Sequence, residues 1–159
     1  MAAQLVMYED EFTKINAICD RLAKDANAKV VFLVDKNGQL ISASGHTQQI
    51  DTTSLASLTA GNVAAMGGLA KLIGENEFPN QFHEGAKDSL YMTIVATRIV
   101  LVVIFDNRTS LGLVRLRIKK ASDELGRIVE SMNRRNSRLE IGSPFAEISD
   151  EDIDNLFSE

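Results

Sequence analysis

Ile99–Phe105 reads IVLVVIF, seven apolar residues in unbroken succession. A strand with one face in water alternates polar and apolar positions. A run that is apolar throughout belongs in the middle of a sheet covered on both sides. Seven residues fall far short of the roughly 20 needed to cross a bilayer, so the cover has to come from the protein's own helices. Working outward, Arg98 sits at a tight connection to Asp88–Thr97, a longer strand with Leu90, Met92, Ile94 and Ala96 on one face. Gln81–Glu84, after Pro79, reads as a short strand before it.

Lys29–Val34, KVVFLV, is a second buried-strand run, and Gln39–Ser44 alternates. Between them lies Asp35-Lys36-Asn37-Gly38. Asn and Gly both tolerate positive φ, so the three segments predict a β-hairpin.

Leu5, Tyr8, Phe12, Ile15, Cys19, Leu22 and Ala26 recur every three or four residues and predict a first helix from about Leu5 to Ala26. Thr109 or Ser110 can cap a third helix, with Leu111, Val114, Ile118, Ala121, Leu125, Ile128, Val129 and Met132 as its buried stripe. Arg117, Lys120, Arg127, Arg134, Arg135 and Arg138 are left to face water. The order is α-β-β-α-β-β-β-α, an α+β domain over residues 1–138 with helices on both faces of its sheet. Gly142-Ser143-Pro144 then interrupts the chain. Residues 139–159 read as an acidic tail, with a weak capping box at Ser149-x-x-Asp152. Phe145, Ile148, Ile153, Leu156 and Phe157 are the large apolar residues after that interruption, the last four at roughly helical spacing. That pattern suits a short amphipathic motif, loose alone and ordered on a partner.

The second helix follows the loop Gly45–Asp51, is capped by Asp51, Thr52 or Thr53, and ends near Gly74. Its first nineteen residues, TTSLASLTAGNVAAMGGLA from Thr52 to Ala70, contain no charge and three glycines. Glycine inside a helix costs roughly 1 kcal/mol relative to alanine, so Gly61, Gly67 and Gly68 call for a compensating contact. At 3.6 residues per turn, Leu55, Leu58, Met66, Leu69, Leu72 and Ile73 fall on one side and are expected to face the core. Ser57, Ala60, Gly61, Ala64, Gly67, Gly68 and Lys71 fall on the other, a bare strip that another backbone can approach closely.

The chain is 45% hydrophobic and 25% charged, enough for an ordinary core. A net charge of −5 argues against generic binding to nucleic acid or to an anionic membrane. Charge is nonetheless segregated: Arg108–Arg138 holds nine bases to three acids, and Leu139–Glu159 holds seven acids and no base. The N-terminus meets acids by Glu9 and lacks a secretory h-region, no segment is expected to insert in a membrane, and one cysteine suits a reducing cytoplasm. A cytoplasmic protein is expected.

Catalytic patterns are missing. No Gly-Lys-Ser/Thr follows Gly61, Gly67 or Gly68, and no serine lies in a Gly-x-Ser-x-Gly context. Cys19 lies mid-stripe, where a packed thiol is the simpler reading. His46 and His83 are isolated and read as surface residues without metal. Arg98 or Arg108 could be imagined as an arginine finger for a GTPase, but any loop arginine would qualify. No catalytic residues and no cofactor are expected.

Three stretches together resemble the Roadblock/dynein light chain family: DTTSLASLTAGNVAAMGGLAKLIGE, FPNQFHEGAKDSLYMT and IVLVVIFDNRTSLGLVRLR. The likeness is strongest to the bacterial members that regulate a small Ras-like GTPase, and it extends into the tail SPFAEISDEDIDNLFSE. The resemblance implies a five-stranded antiparallel sheet with the first and third helices on one face and the second on the other. It also implies a homodimer whose second helices lie together, two protomers engaging one MglA-like Ras-like GTPase in its GTP form. Such proteins raise GTP hydrolysis by repositioning the GTPase's own groups, in bacterial motility and cell polarity, and concentration at a cell pole would fit. The nucleotide and Mg²⁺ belong to the partner.

Carried over by position, the contact falls on Ala64 and Gly68, with Ala60, Gly61 and Lys71 beside them. The same small residues suit dimer packing, and both uses can hold on adjacent parts of the strip. For the tail, a second GTPase contact is what the resemblance implies; docking on the basic third helix and simple disorder compete with it. Two further functions remain open: a Roadblock-type scaffold that binds and localises a GTPase without changing hydrolysis, and a small-molecule sensor of PAS-like or profilin-like build. The sensor wants polar groups around an interior pocket, which the aliphatic stripes do not supply.

Overall fold

The computed structural model describes residues 7–141, with side chains as far as 138. Helix α1 (Glu9–Asp25) leads into the hairpin β1 (Val30–Asp35) and β2 (Leu40–Gly45), then α2 (Thr52–Leu72). Strands β3 (Asn80–Glu84), β4 (Ser89–Val95) and β5 (Ile99–Phe105) follow, and α3 (Leu111–Ile141) closes the domain. The strands form one antiparallel sheet in the order β2-β1-β5-β4-β3, so the α-β-β-α-β-β-β-α reading of the sequence holds.

The apolar run at β5 lies at the centre, paired with β1 through Val30↔Ile104 to Asp35↔Ile99 and with β4 through Ser89↔Phe105 to Val95↔Ile99. Ile99, Val100, Leu101, Val102 and Val103 are all 0% exposed. Alternation sends Ile99, Leu101, Val103 and Phe105 toward α1 and α3, where they meet Ile15, Leu22, Val114, Leu125 and Met132. Val100 and Val102 point the other way, with Val30, Phe32, Val34 and Met92, toward Ala56, Leu55 and Val63 of α2. The sheet is thus sandwiched between two helices and one.

Local chemistry fixes the joints. Of the three candidate caps, Asp51 starts α2: its carboxylate accepts from the Ser54 amide at 3.2 Å and the Ser54 hydroxyl at 2.6 Å. Those two bonds hold the Asp51 carboxyl below its ordinary range. Ser110, not Thr109, caps α3, accepting from the Leu113 amide at 3.2 Å. In the first hairpin Gly38 takes the positive φ, +92°, but Asn37 does not, so only one of the two residues foreseen for such geometry uses it.

Several expectations need correction. The first helix begins at Glu9, and Tyr8 and Phe12 are 51% and 45% exposed rather than core. The start of α1 reaches the end of α3 instead of the sheet: Arg135 pairs with Glu11 and stands 3.8 Å over the Tyr8 ring. Arg135 therefore does not simply face water. Ile18 is buried and was absent from the predicted stripe; Leu5 lies outside the described residues. The fourth strand ends at Val95, because Ala96 and Thr97 turn the chain with φ +51° and +60°, and the Arg98 amide donates to the Val95 carbonyl at 3.2 Å.

Two consecutive left-handed residues that are not glycine are costly, roughly 1–2 kcal/mol each. Ala96→Asn with Thr97→Gly supplies the residues that a turn with positive φ at both centres favours. We expect the pair to raise unfolding free energy by about 1 kcal/mol in urea titration; an unchanged or lower midpoint would contradict the strain assigned to this turn.

Candidate functional site

Helix α2 divides into three sectors. The inward sector is Ala56, Thr59, Val63, Met66 and Ala70, spaced 3-4-3-4 along the chain. Ala56, Thr59 and Ala70 are buried, and Val63 and Met66 half-buried. Small side chains here let the helix backbone settle low on β1 and β2. The first hairpin rises to meet it: a Cβ built on Gly38 would stand 3.6 Å from the Ala60 Cβ.

On one flank lies the bare strip. Gly61, Ala64, Gly68 and Lys71 are exposed, and Ala60 and Gly67 half-buried. The structure therefore brings all five predicted contact residues, Ala60, Gly61, Ala64, Gly68 and Lys71, onto one outward surface. A groove of about 370 Å³ runs beside it, closed on its far side by Lys36, Asn76 and Glu77. Lys36 Nζ lies 3.1 Å from Glu77 Oε2, tying the hairpin turn to the segment after α2. A Cβ added at Gly61, Gly67 or Gly68 would meet nothing within 4 Å. Nothing among the described residues requires these glycines.

The opposite flank overturns an expectation. Leu58, Leu69, Leu72 and Ile73, predicted to face the core, are 72%, 47%, 84% and 65% exposed. Leu55 and Met66, from the same predicted face, are half-buried. The cause is the sequence of α2 itself: nearly every position is apolar or small, so its pattern has little amphipathic contrast. Depth of approach set mainly small residues against the sheet, with Leu55 and Val63 beside them, and turned Leu58, Leu69, Leu72 and Ile73 out. The 3-4-3-4 spacing of Ala56, Thr59, Val63, Met66 and Ala70 is the signal that could have revealed this.

Elsewhere the side chains singled out from sequence are engaged or dispersed. Arg98 Nη1 donates to Asn133 Oδ1 at 2.9 Å, bracing the β4–β5 turn against α3. Arg108 pairs with Asp106 at 3.0 Å, and its donors hold the Asp106 carboxyl below its usual range. Cys19 is fully buried, and desolvation pushes its thiol up to about 11. His46 and His83 both border an open cleft of about 1000 Å³ at one end of the sheet. No three His, Cys, Asp or Glu side chains converge among the described residues, and no helix there is long and apolar enough to cross a membrane. The tail residues Phe145, Ile148, Ile153, Leu156 and Phe157 lie outside the described residues.

Helices on both faces of a five-stranded antiparallel sheet are the build of a Roadblock/LC7 domain, and the model of that family matches residues 14–105. The chain belongs to the Roadblock/LC7 family. Among solved structures it is similar to Myxococcus xanthus MglB, with 89% identity over 80% of this chain and 96% of that one, at a TM-score of 0.77. It is similar also to a gliding protein, the MglB of Thermus thermophilus, at 30% identity, covering 82% of this chain and 99% of that one, TM-score 0.76. A structure described as MglB with tetrameric arrangement is 29% identical, covering 83% and 99% respectively, TM-score 0.76. A comparison with curated proteins returned no match.

Because the glycine Cβ positions are open, Gly61→Ala and Gly68→Ala should each stabilise the isolated fold by about 1 kcal/mol through helix propensity. Urea denaturation measures this. Loss of stability in both variants would mean that the space beside them is already filled.

Proposed function

We propose that this chain is a homodimeric GTPase-activating regulator of an MglA-like Ras-like GTPase in bacterial gliding motility and cell polarity, with no catalytic site of its own. The observation that carries the reading is the flank of α2 on which Gly61, Ala64 and Gly68 are exposed, uncharged and unused by the subunit. A helix that carries three glycines without internal need is suited to close backbone approach by another molecule. The high identity to M. xanthus MglB and the likeness to the gliding protein from Thermus support the biological setting.

The two flanks suit two partners. Leu58, Leu69 and Leu72 are the natural surface for a second copy, since each leucine gains roughly 1.5–3 kcal/mol on full burial. Association costs about 4–15 kcal/mol, so these three alone give a marginal dimer and neighbouring surface has to contribute. The bare strip is then left for the GTPase in its GTP form, two protomers to one partner. Ala64 and Gly68 are its centre, with Ala60, Gly61 and Lys71 at its margin. The acidic tail, through Phe145, Ile148, Ile153, Leu156 and Phe157, is a second contact. Arg98 and Arg108 are occupied by Asn133 and Asp106, which fits activation by repositioning the partner's own groups.

In single-turnover assays, saturating protein is expected to speed hydrolysis by the GTP-loaded partner at least about tenfold, below the range of activators that donate an arginine. Ala64→Arg or Gly68→Arg should abolish both binding and acceleration while leaving the fold intact, because a buried unpaired cation is costly. Binding with an unchanged rate would instead make the protein a localising scaffold. Separately, Leu69→Asp with Leu72→Asp should convert a dimer to a folded monomer by light scattering; a dimer that survives the change would remove this flank from the interface.

A further inference from the structure

Helix α3 carries a row of cations whose side chains meet no anion among the described residues. Lys120, Arg127 and Arg134 recur every seven residues and, with Arg138, make a ridge along one side of the helix. All four are exposed, and none makes an ion pair or hydrogen bond among the described residues. Arg115 and Lys119 widen the same exposed face toward its start, against only Asp123 and Glu130. Other arginines of the domain are spoken for: Arg21 pairs with Glu124, Arg135 with Glu11 and Arg108 with Asp106. Like charges held on one face repel, and the cheapest relief is an anionic strip laid along it.

The chain carries such a strip directly after α3. Between Leu139 and Glu159 there are seven acids and no base. We propose that the segment Phe145–Glu159 turns back at Gly142-Ser143-Pro144 and docks on the Lys120–Arg127–Arg134–Arg138 ridge of its own α3. Pro144 cannot continue the helical hydrogen bonding, so a reversal begins where the ridge ends. The reach is adequate. From Lys120 to Arg138 the ridge is about 27 Å long, and residues 145–159 span about 22 Å as a helix or up to about 50 Å extended. Running antiparallel, Glu147 falls near Arg138 and Arg134, and Asp150, Asp152 and Asp154 fall toward Arg127 and Lys120.

Pairs of this kind are individually weak and screened by salt, so the contact forms because the tether supplies a high local concentration and several pairs act together. It is therefore a reversible latch. Its consequence for regulation rests on the proposed GTPase contact of the tail: a latched tail withholds Leu156 and Phe157 from the partner until a stronger surface displaces it. The docking itself does not depend on that reading.

The test needs no GTPase, so its failure is separable from failure of the proposed function. Cys19 is fully buried, so Ser158→Cys in the full chain offers a single accessible thiol for a nitroxide label. At about 50 mM salt, paramagnetic broadening is expected for amides between Lys120 and Arg138, at least about threefold above that on α1 and the sheet. It should vanish at about 1 M salt, where the Debye length is near 3 Å. Arg127→Glu with Arg134→Glu should abolish it, and adding Asp150→Lys with Asp152→Lys should restore it. Circular dichroism confirms that each variant folds. Broadening spread evenly over the domain, centred on another face, or insensitive to the charge reversal overturns the proposal. So does broadening that appears only when labelled chains are mixed with isotope-labelled ones, which would place the tail on a second copy.

Discussion

The two-sided burial of β5 is the constraint on which the rest of the structure depends. Five consecutive side chains from Ile99 to Val103 have no exposure at all, and their alternation divides the core into two separate clusters. One cluster is filled by two long helices with aliphatic stripes. The other has only α2, which lies against β1 and β2. Because one helix does the work of two there, the sheet is less completely covered: Leu90, Ile94 and Ile104 remain half-buried on the α2 face.

This imbalance explains the unusual composition of α2. To shield Val30, Phe32, Val34 and Met92 with a single helix, the backbone has to come close, and Ala56, Thr59 and Ala70 allow it. The large side chains of the helix are then surplus to the subunit and emerge on one flank, while glycines and alanines emerge on the other. Exposed leucines cost solvation and glycines cost helix stability, and nothing among the described residues offsets either.

Electrostatics is organised apart from packing. The acids and bases that touch the α1–α3 layer are paired across helices, as in Arg21–Glu124 and Arg135–Glu11, and these contacts tie the two helices at separate levels. The outer side of α3 is left cationic, and the uncharged strip of α2 faces away from it across the sheet. The charges beside the strip are few: Lys71 at its end and the Lys36–Glu77 pair across the groove.

The strands, the Asn37-Gly38 hairpin, the stripe of α3 and the element order were legible because each rests on nearest-neighbour chemistry: an unbroken apolar run, a turn glycine at positive φ, a 3.6-residue period. The bare strip on α2 was legible too, since small and uncharged residues stand out by type. Which side of α2 meets the sheet was not. A helix almost wholly apolar or small has no polar face to exclude, so its rotation is set by how closely it can approach β1, β2 and Gly38, a distance that exists only between elements far apart in the chain. For the same reason Tyr8 and Arg135, 127 residues apart, could not be matched from sequence. The chain alone determined which segments form and what surface chemistry they carry; the tertiary structure decided which surfaces remain outside, because burial is a property of the assembled layers and not of any one helix.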